Sequence, residues 1–242
     1  MLLRNTIFFL IFLVTDNAMA TNFPTSERSQ KSIALVEDSL RKQLKQKELE
    51  YGSSIFIRIF KLSSKLEVWM KNRDGKYKLF KEYPICTFSG ELGPKLRQGD
   101  RQSPEGFYFV NQSRLNPWSQ FHLSFNLGYP NAYERFHGRT GSALMVHGNC
   151  VSIGCYAMTD PLINEIYALS VAALKAGQPF FRVHVFPFEL ENKQLEEFRQ
   201  HKWYNFWLNL KEGFDYFETH RVPPNVEVSN GRYVFGSSSQ AD

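Results

Sequence analysis

Residues 144–160 read Leu-Met-Val-His-Gly-Asn-Cys-Val-Ser-Ile-Gly-Cys-Tyr-Ala-Met-Thr-Asp, an apolar run that ends in a histidine and is followed by a glycine-flanked cysteine. The apolar run predicts a short buried strand that holds His147 rigidly at its end. A thiol attacks a carbonyl as the thiolate, so Cys155 needs a proton acceptor, and His147 can supply it if the intervening loop folds back. Gly154 lets backbone N–H groups approach a substrate oxyanion. We therefore predict thiol acyl chemistry, with Cys155 as the nucleophile and its pKa lowered by His147.

Three other interpretations of these residues stay open. A buried cysteine beside a hydrogen-bonded core histidine is a common structural arrangement. Zinc binding is the second, because two histidines and two cysteines offer four ligands, although no Cys-x-x-Cys spacing occurs. Those four residues are His137, His147, Cys150 and Cys155. The third is a Cys150–Cys155 disulfide, which would remove the nucleophile. Thiol acyl chemistry needs neither a metal nor a cofactor, so we expect none.

The stretch resembles the active-site signature of the L,D-transpeptidase (YkuD-type) catalytic domain family. In that signature a His-Gly precedes a Ser-x-Gly-Cys that carries the nucleophile, and this chain has His147-Gly148 and Ser152-Ile153-Gly154-Cys155. Four upstream segments extend the resemblance over residues 54–186 and towards the murein-transpeptidase (YafK-like) branch. They are residues 90–95, 98–100, 103–107 and 126–133.

Two positions depart from the family pattern. Ile153 stands where the family has a histidine before the Gly-Cys, and Ala157 stands where it has an arginine two residues after the cysteine. The loop from His147 to Cys155 is also shorter than usual. These changes leave the nucleophile and the base in place and alter the acceptor side of the site.

The resemblance implies a mainly β fold with flanking helices (α+β), a YkuD-like β-sandwich catalytic domain with an N-terminal helix and a C-terminal helical extension. It implies that Cys155 forms a thioester with peptidoglycan stem peptides and that His147 is the proton donor and acceptor. Ser152 and the Gly154 backbone join this catalytic group, and Gly148 contacts the substrate.

The resemblance leaves the fate of the thioester open. An amine acceptor would give L,D-transpeptidation. Water would give carboxypeptidase or amidase activity, which includes release of a lysine-linked lipoprotein from murein. A non-catalytic wall-binding module is the alternative from another functional class.

Residues 1–20 have the features of a cleavable signal peptide, with Arg4, an apolar core and an Ala-Met-Ala cleavage site. The core is too short to span a membrane, so we expect membrane contact only through this signal and a periplasmic mature protein. The mature net charge stays +5, because the signal holds one arginine and one aspartate. Since lysine and arginine form no stripe, nucleic acid is not an expected partner, whereas acidic stem peptides suit the charge.

The chain has three cysteines, which leave at least one unpaired in an oxidising compartment. An unpaired thiol in an exported protein indicates a functional role for Cys155. In that case Cys86 and Cys150 either form a bridge or remain separate buried thiols.

Periodicity divides the mature chain into three segments. Residues 21–53 form an N-terminal helical segment, residues 54–188 the catalytic domain, and residues 189–242 a C-terminal helix and extended tail. The N-terminal helix, predicted over residues 29–49, either packs on the domain or is a surface spacer. The C-terminal helix is predicted over residues 191–210.

Three further features of the segment 54–188 bear on the site. A strand is predicted over residues 77–88, and the loop 90–106 is long enough to have a functional role. Residues 128–141 mix aromatic and basic side chains with turn residues and predict a polar substrate wall. In this wall we expect Tyr133 and Arg139 to bind substrate.

Overall fold

The structure, a computed structural model, describes residues 23–236, so the predicted signal peptide lies outside the described residues. The helices are α1 (Glu27–Gln46), α2 (Ala132–Phe136), α3 (Asp160–Lys175), α4 (Asn192–Glu197) and α5 (Tyr204–His220). The strands are β1 (Ile55–Phe60), β2 (Lys65–Lys71), β3 (Tyr77–Pro84), β4 (Thr87–Phe88), β5 (Gly106–Asn111), β6 (Leu115–Asn116), β7 (Ser124–Asn126), β8 (Met145–His147), β9 (Tyr156–Ala157), β10 (Phe180–Phe186), β11 (Asn225–Ser229) and β12 (Arg232–Gly236). None of the helices within residues 23–236 has both the length and the apolar character needed to cross a membrane.

Two five-stranded sheets and one hairpin make up the β structure of the described part of the chain. The first sheet has the order β3-β2-β1-β10-β5, the second has the order β4-β9-β8-β7-β6, and β11 pairs with β12. Most neighbours are antiparallel, but β1 runs parallel to β10 and β8 runs parallel to β9. With the five helices of residues 23–236 around these sheets, the architecture is α+β, as predicted.

Strand β1 explains why the chain folds in layers. All six of its residues are buried, and all but Arg58 are apolar, as expected for a strand covered on both faces; Arg58 is buried in a pair with the Glu67 carboxylate. Ile55, Ile57 and Ile59 join a core shared with α1, α3 and the second sheet. Phe56 and Phe60 point to the opposite face, where they pack on the aromatic side chains of α5. The first sheet is therefore the central layer of the molecule.

The N-terminal helix packs on the domain, which decides between the two interpretations of its sequence pattern. Leu40 and Leu44 are buried in the main core, and Ile33 and Val36 pack against it. Helix α1 begins after Ser26, whose side chain accepts the Ser29 N–H in a capping box. The apolar stripe of α1 lies against α3.

The strand predicted over residues 77–88 is divided between the two sheets. Pro84 ends β3, since proline has no N–H to donate to a sheet ladder. The Cys86 N–H then donates to the Ala157 carbonyl of the second sheet at 2.9 Å. This switch carries the chain to β4, which pairs with β9.

The C-terminal segment differs from the prediction of one helix and an extended tail. The predicted helix is broken at residues 198–203, where Phe198 stacks on Phe188 with ring centroids 4.6 Å apart. A second helix then runs on to His220. The tail is a β-hairpin, because Asn230 and Gly231 both take positive φ angles of 49° and 74° in its turn.

A buried ion pair holds the loop 90–106 against the central sheet. The Lys61 ammonium lies 3.0 Å from the Glu105 carboxylate, and both side chains are fully buried. Lys61 also donates to the Gly93 carbonyl at 2.8 Å, and Glu105 accepts the Gly93 N–H at 2.6 Å. The Trp207 indole N–H donates to the same carboxylate at 2.8 Å, so helix α5 is tied to the loop.

Candidate active site

Parallel pairing of β8 and β9 brings the predicted base and nucleophile to one face of the second sheet. Val146 pairs with Tyr156 and His147 pairs with Ala157. Side chains alternate along a strand, so His147 and Cys155 project from the same face of neighbouring chain segments. His147 is the last residue of β8, as the sequence predicted.

The His147 ring is held in one orientation by two contacts. Its Nδ1 is 2.6 Å from the Gly148 carbonyl oxygen, an acceptor, which places the proton on Nδ1 and leaves the lone pair on Nε2. The ring also packs on Phe121, with centroids 4.7 Å apart and an angle of 32° between the planes. Burial lowers the pKa of His147, while the bond to Gly148 opposes that shift. A neutral imidazole with a free Nε2 lone pair can accept a proton.

Cys155 is the free thiol of the chain, and it is partly buried. The Sγ atom accepts the Met145 N–H at 3.4 Å, and the S–H group is directed at the Ala143 carbonyl at 3.7 Å. Burial raises the pKa of the Cys155 thiol, while the Met145 N–H and the nearby Lys95 ammonium lower it. The net direction is opposite to the predicted one, because desolvation penalises the thiolate more than these groups stabilise it. The resting pair is therefore a neutral thiol and a neutral imidazole.

Ser152 and Gly154 shape the turn that presents Cys155. The Ser152 hydroxyl donates to the Cys155 carbonyl at 2.7 Å and accepts the Gly154 N–H at 3.2 Å. Ser103, from the loop 90–106, donates to the same Cys155 carbonyl at 3.0 Å. Gly154 has a φ of 145°, a conformation that side-chain-bearing residues rarely adopt. Since the Gly154 N–H already has an acceptor, it can bind an oxyanion only by exchanging that bond.

A disulfide between Cys86 and Cys150 fixes the loop that joins His147 to Cys155. Of the two alternatives for these cysteines, the structure has the bridge. The Cys150 N–H donates to the Met158 carbonyl at 3.1 Å, so the loop is held at its middle as well as at its ends. Cys150 has a φ of 41°, in the left-handed region that non-glycine residues seldom occupy.

Gly148 is buried and its backbone groups are already used. Its N–H donates to the Phe121 carbonyl at 3.0 Å, and its carbonyl accepts from His147. A Cβ at this position would lie 2.5 Å from an Asp160 carboxylate oxygen and 3.1 Å from Ile163. In the structure Gly148 therefore allows close packing against helix α3. Its contact with substrate stays a prediction.

Tyr133 and Arg139 lie together, but in a second core and not on an exposed wall. Tyr133 is stacked on Tyr233 with centroids 4.4 Å apart, and the Arg139 guanidinium lies 5.0 Å from the Tyr133 ring centre. Both residues are buried, because the C-terminal hairpin and helix α5 cover them. Sequence reasoning placed them at the surface since it did not predict that hairpin.

The residues of the zinc alternative have other partners. Cys150 is bonded to Cys86, and the His137 Nε2 atom lies 2.9 Å from the Gly231 carbonyl. Within residues 23–236, no group of three histidine, cysteine or acidic side chains is arranged to hold a metal ion.

The structure also brings to the site residues that sequence reasoning did not single out. Lys95 is buried, pairs with the Asp100 carboxylate and packs against Gly141. The backbone N–H groups of Leu96 and Gln102 donate to the same carboxylate, at 2.9 and 3.1 Å. The sequence signal for these residues is the Lys95–Asp100 spacing inside the loop 90–106. In the structure this loop lies beside Cys155.

Comparisons with known proteins show which family the sequence matches. The family model of the YkuD L,D-transpeptidase catalytic domain matches residues 56–181. The putative L,D-transpeptidase YafK of Escherichia coli K12 is 48% identical over 183 residues, which are 76% of this chain and 74% of that protein.

Two solved structures are more distant. The helical cell shape determining protein Pgp2 from Campylobacter jejuni is 18% identical with a TM-score of 0.43, over 79% of this chain and 80% of that one. Bd1075 of Bdellovibrio bacteriovorus is 17% identical with a TM-score of 0.40, over 74% and 78%.

Proposed function

Because this chain belongs to the L,D-transpeptidase catalytic domain family, we propose that it is an exported cysteine acyltransferase that acts on peptidoglycan stem peptides. The observation that carries the proposal is the shared face of the β8–β9 pair. His147, with its proton on Nδ1, ends β8, and the free thiol of Cys155 directly precedes β9, so strand alternation directs both side chains to this face.

In the proposed reaction, the Cys155 Sγ attacks the carbonyl of the third residue of the stem peptide, at the L-centre of its diamino acid. The thiol proton moves to His147 Nε2 as the S–C bond forms. The proton then passes to the leaving amine as the C–N bond breaks, which gives a thioester on Cys155. We assign the oxyanion to the Cys155 amide and to a Gly154 N–H released from Ser152.

The neutral resting pair supports a mechanism in which deprotonation and attack occur together. A thiol whose pKa is raised holds little thiolate at neutral pH, so a base must take the proton as the nucleophile reacts. His147 suits this role, because burial lowers its pKa and keeps Nε2 unprotonated. The Gly148 carbonyl fixes the tautomer and, in this scheme, stabilises the imidazolium that forms.

Either an amine or a water molecule attacks the thioester and releases the acyl group from Cys155. The two acceptor-side positions carry no charged side chain that would favour one of these acceptors over the other. Ile153 is 82% exposed, and Ala157 is buried, at the two positions where the family has histidine and arginine. Transpeptidation is our first assignment. The second is hydrolysis of the same acyl-enzyme, which would act as a carboxypeptidase or would release a lysine-linked lipoprotein from murein.

We also propose a periplasmic location. The signal-like residues 1–20 support export, and the Cys86–Cys150 disulfide supports an oxidising compartment. Both suit a substrate in the cell wall.

Mass spectrometry of muropeptides incubated with the purified protein tests the proposal. A new cross-link indicates transpeptidation, and a shortened or released stem indicates hydrolysis. Cys155→Ala should abolish either product while the circular dichroism spectrum and Tm stay unchanged, since the side chain lost is small. The matched control is Ser142→Ala, an exposed change on the adjoining loop that should leave turnover intact. An active Cys155→Ala variant would refute the assignment.

Iodoacetamide labelling separates an enzyme from a non-catalytic wall-binding module. Two of the three cysteines are bonded to each other, so labelling of the oxidised protein reports on Cys155 alone. If the chain is an enzyme, the labelling rate of Cys155 should depend on His147. If it is a non-catalytic binding module, that rate should not depend on His147.

A further inference from the structure

A cavity of about 420 Å³ opens beside strand β5, away from the Cys155 centre. Its walls come from β5, β10, β11 and the segment 127–135. Neither His147 nor Cys155 lines it, and neither does any residue bonded to them. This volume is in the range of sites that bind small molecules or a few linked residues.

The charged side chains of this cavity are mostly cationic. Among the described residues, the guanidinium groups of Arg114, Arg135 and Arg182 line it together with the Glu227 carboxylate. Arg182 is bonded to the Asn225 side chain at 2.7 Å, so Arg114 and Arg135 are the groups that bear on anion binding. Within residues 23–236, Arg114 and Arg135 pair with no carboxylate. Their Nη1 atoms donate to main-chain carbonyls, at 3.2 Å from Arg114 to Leu127 and at 2.5 Å from Arg135 to Pro130. Such anchored guanidinium groups present their remaining N–H donors to an oxyanion.

A buried histidine, His184, also lines the cavity. Its Nδ1 atom is buried and makes no hydrogen bond with any residue of 23–236, and the residue is only 1% exposed. The rings of Phe56 and Phe107 hold His184 edge-on, with centroids 4.6 and 4.7 Å away. Burial lowers the pKa of His184 well below its usual value, so the imidazole is neutral and polar. Buried polar atoms are usually hydrogen-bonded, so a ligand that reached Nδ1 from the cavity would satisfy a group that the described residues leave unpaired.

Two aromatic rings add an apolar surface to the same cavity. Phe109 and Phe180 lie 5.4 Å apart, and Arg114 and Arg182 stack on them at 4.2 and 5.1 Å from the ring centres. The cavity can thus take a ligand that has an anionic end and an aliphatic body. Glu227 provides one site for an ammonium group on the same ligand.

We propose that this cavity is a second ligand site, separate from the Cys155 centre, that binds the carboxylate-bearing diamino acid end of a peptidoglycan stem peptide. The identity of the ligand rests on the proposed function. Guanidinium groups hold an oxyanion, and inorganic phosphate could supply such an oxyanion as well as the carboxylate of a stem peptide. The stem peptide fits better, because it has in addition an ammonium group for Glu227 and methylene groups for the aromatic rings.

Binding to the full chain carrying Cys155→Ala tests the proposal without turnover. The probes are a tripeptide that ends in diaminopimelic acid and, separately, inorganic phosphate. Kd is measured by calorimetry, and ¹⁵N-histidine NMR follows the rings of His184 and His147 separately. We expect the tripeptide to move the His184 resonances and phosphate to leave them nearly unchanged.

Arg135→Gln is the test variant, because Arg135 is exposed and its loss should not disturb folding. It should weaken the binding event reported by His184 about tenfold, as expected for loss of one charged hydrogen bond. Arg199→Gln, which removes the same charge from an exposed surface pair, is the control and should bind like the parent. Equal affinity of the two variants, tripeptide shifts at His147 alone, or His184 shifts with phosphate but not tripeptide would each overturn the proposal.

The two proposals fail in different measurements. Loss of the His184 response while the wild-type protein still turns over muropeptides refutes the second site alone. A His184 response that depends on Arg135, in a protein whose wild type forms no product, supports the second site and refutes the proposed catalysis.

Discussion

Cys86 and Cys150 are 64 residues apart in the sequence and are joined by a disulfide, with their Cα atoms 5.4 Å apart. Cys86 lies between β3 and β4, and Cys150 lies in the loop between His147 and Cys155. The bridge therefore ties the loop of the candidate catalytic pair to the segment where the chain passes from one sheet to the other. The backbone bonds of both cysteines run to the β9 region, from Cys86 to Ala157 and from Cys150 to Met158.

Removal of this bridge should lower both stability and turnover. We expect the double variant Cys86→Ala/Cys150→Ala to lose about 2–4 kcal/mol of unfolding free energy, as is typical when a native disulfide is lost. Turnover should fall because the loop that orients His147 loses its covalent tie. Urea unfolding with and without reductant measures the first effect. The wild type should become less stable in reductant and the double variant should not change; equal behaviour of the two would contradict a structural role for the bridge.

Sequence reasoning could predict the β8 strand and its terminal histidine because local periodicity and spacing determine them. It could also predict α1, whose apolar stripe follows the helical period. The pairing of Cys86 with Cys150 depends on tertiary contact over 64 residues, which spacing does not specify. For the same reason the sequence pattern could not show that the chain changes sheets at Pro84.

The differences between prediction and structure around the site have two physical origins. Pro223-Pro224 predicts an extended tail, whereas Asn230-Gly231 forms a hairpin turn in the structure. The hairpin buries Tyr233 against Tyr133, and this converts the predicted substrate wall into part of a core. The motif does not predict the raised pKa of the Cys155 thiol, because desolvation depends on how deeply the folded chain buries the side chain.

The pH dependence of the reaction should identify His147 as the base. Since burial lowers the pKa of His147, wild-type kcat/KM should hold as pH falls through 6.5 and decline only below it. His147→Ala should lower the rate by about 10²- to 10⁴-fold. Its residual rate should rise with pH beyond the usual thiol range, because burial raises the pKa of Cys155. Iodoacetamide labelling as a function of pH gives the same comparison without substrate.

His137→Ala is the matched control for this experiment, since His137 is exposed and bonds the Gly231 carbonyl. It should keep the wild-type pH profile. An unchanged profile in His147→Ala would make His147 a structural residue, and a changed one in His137→Ala would make His137 the candidate base.

The buried Lys61–Glu105 pair should be a strong determinant of stability. Lys61→Met leaves the Glu105 carboxylate fully buried without its cation, which typically costs about 3–5 kcal/mol. Lys31→Met, in an exposed pair with Glu27, should cost less than about 1 kcal/mol. Urea unfolding of both variants provides the comparison. Similar losses in the two would show that Lys61 is not needed to hold the loop 90–106.

Glu134 should make stability depend on pH near neutrality. It is buried and accepts the Asn131 N–H at 2.7 Å and the Tyr108 hydroxyl at 2.9 Å, and burial raises its pKa from 4.5 to about 7. Between those two values the folded state holds a proton that the unfolded state has lost. The contribution of this proton to stability is complete below pH 4.5 and is lost as the pH rises through about 7.

Glu134→Gln stays neutral, so its unfolding free energy should fall less with pH across this window than that of the wild type. Glu196→Gln, an exposed control, should keep the wild-type slope, and parallel slopes in all three proteins would show that Glu134 is already ionised in the folded state.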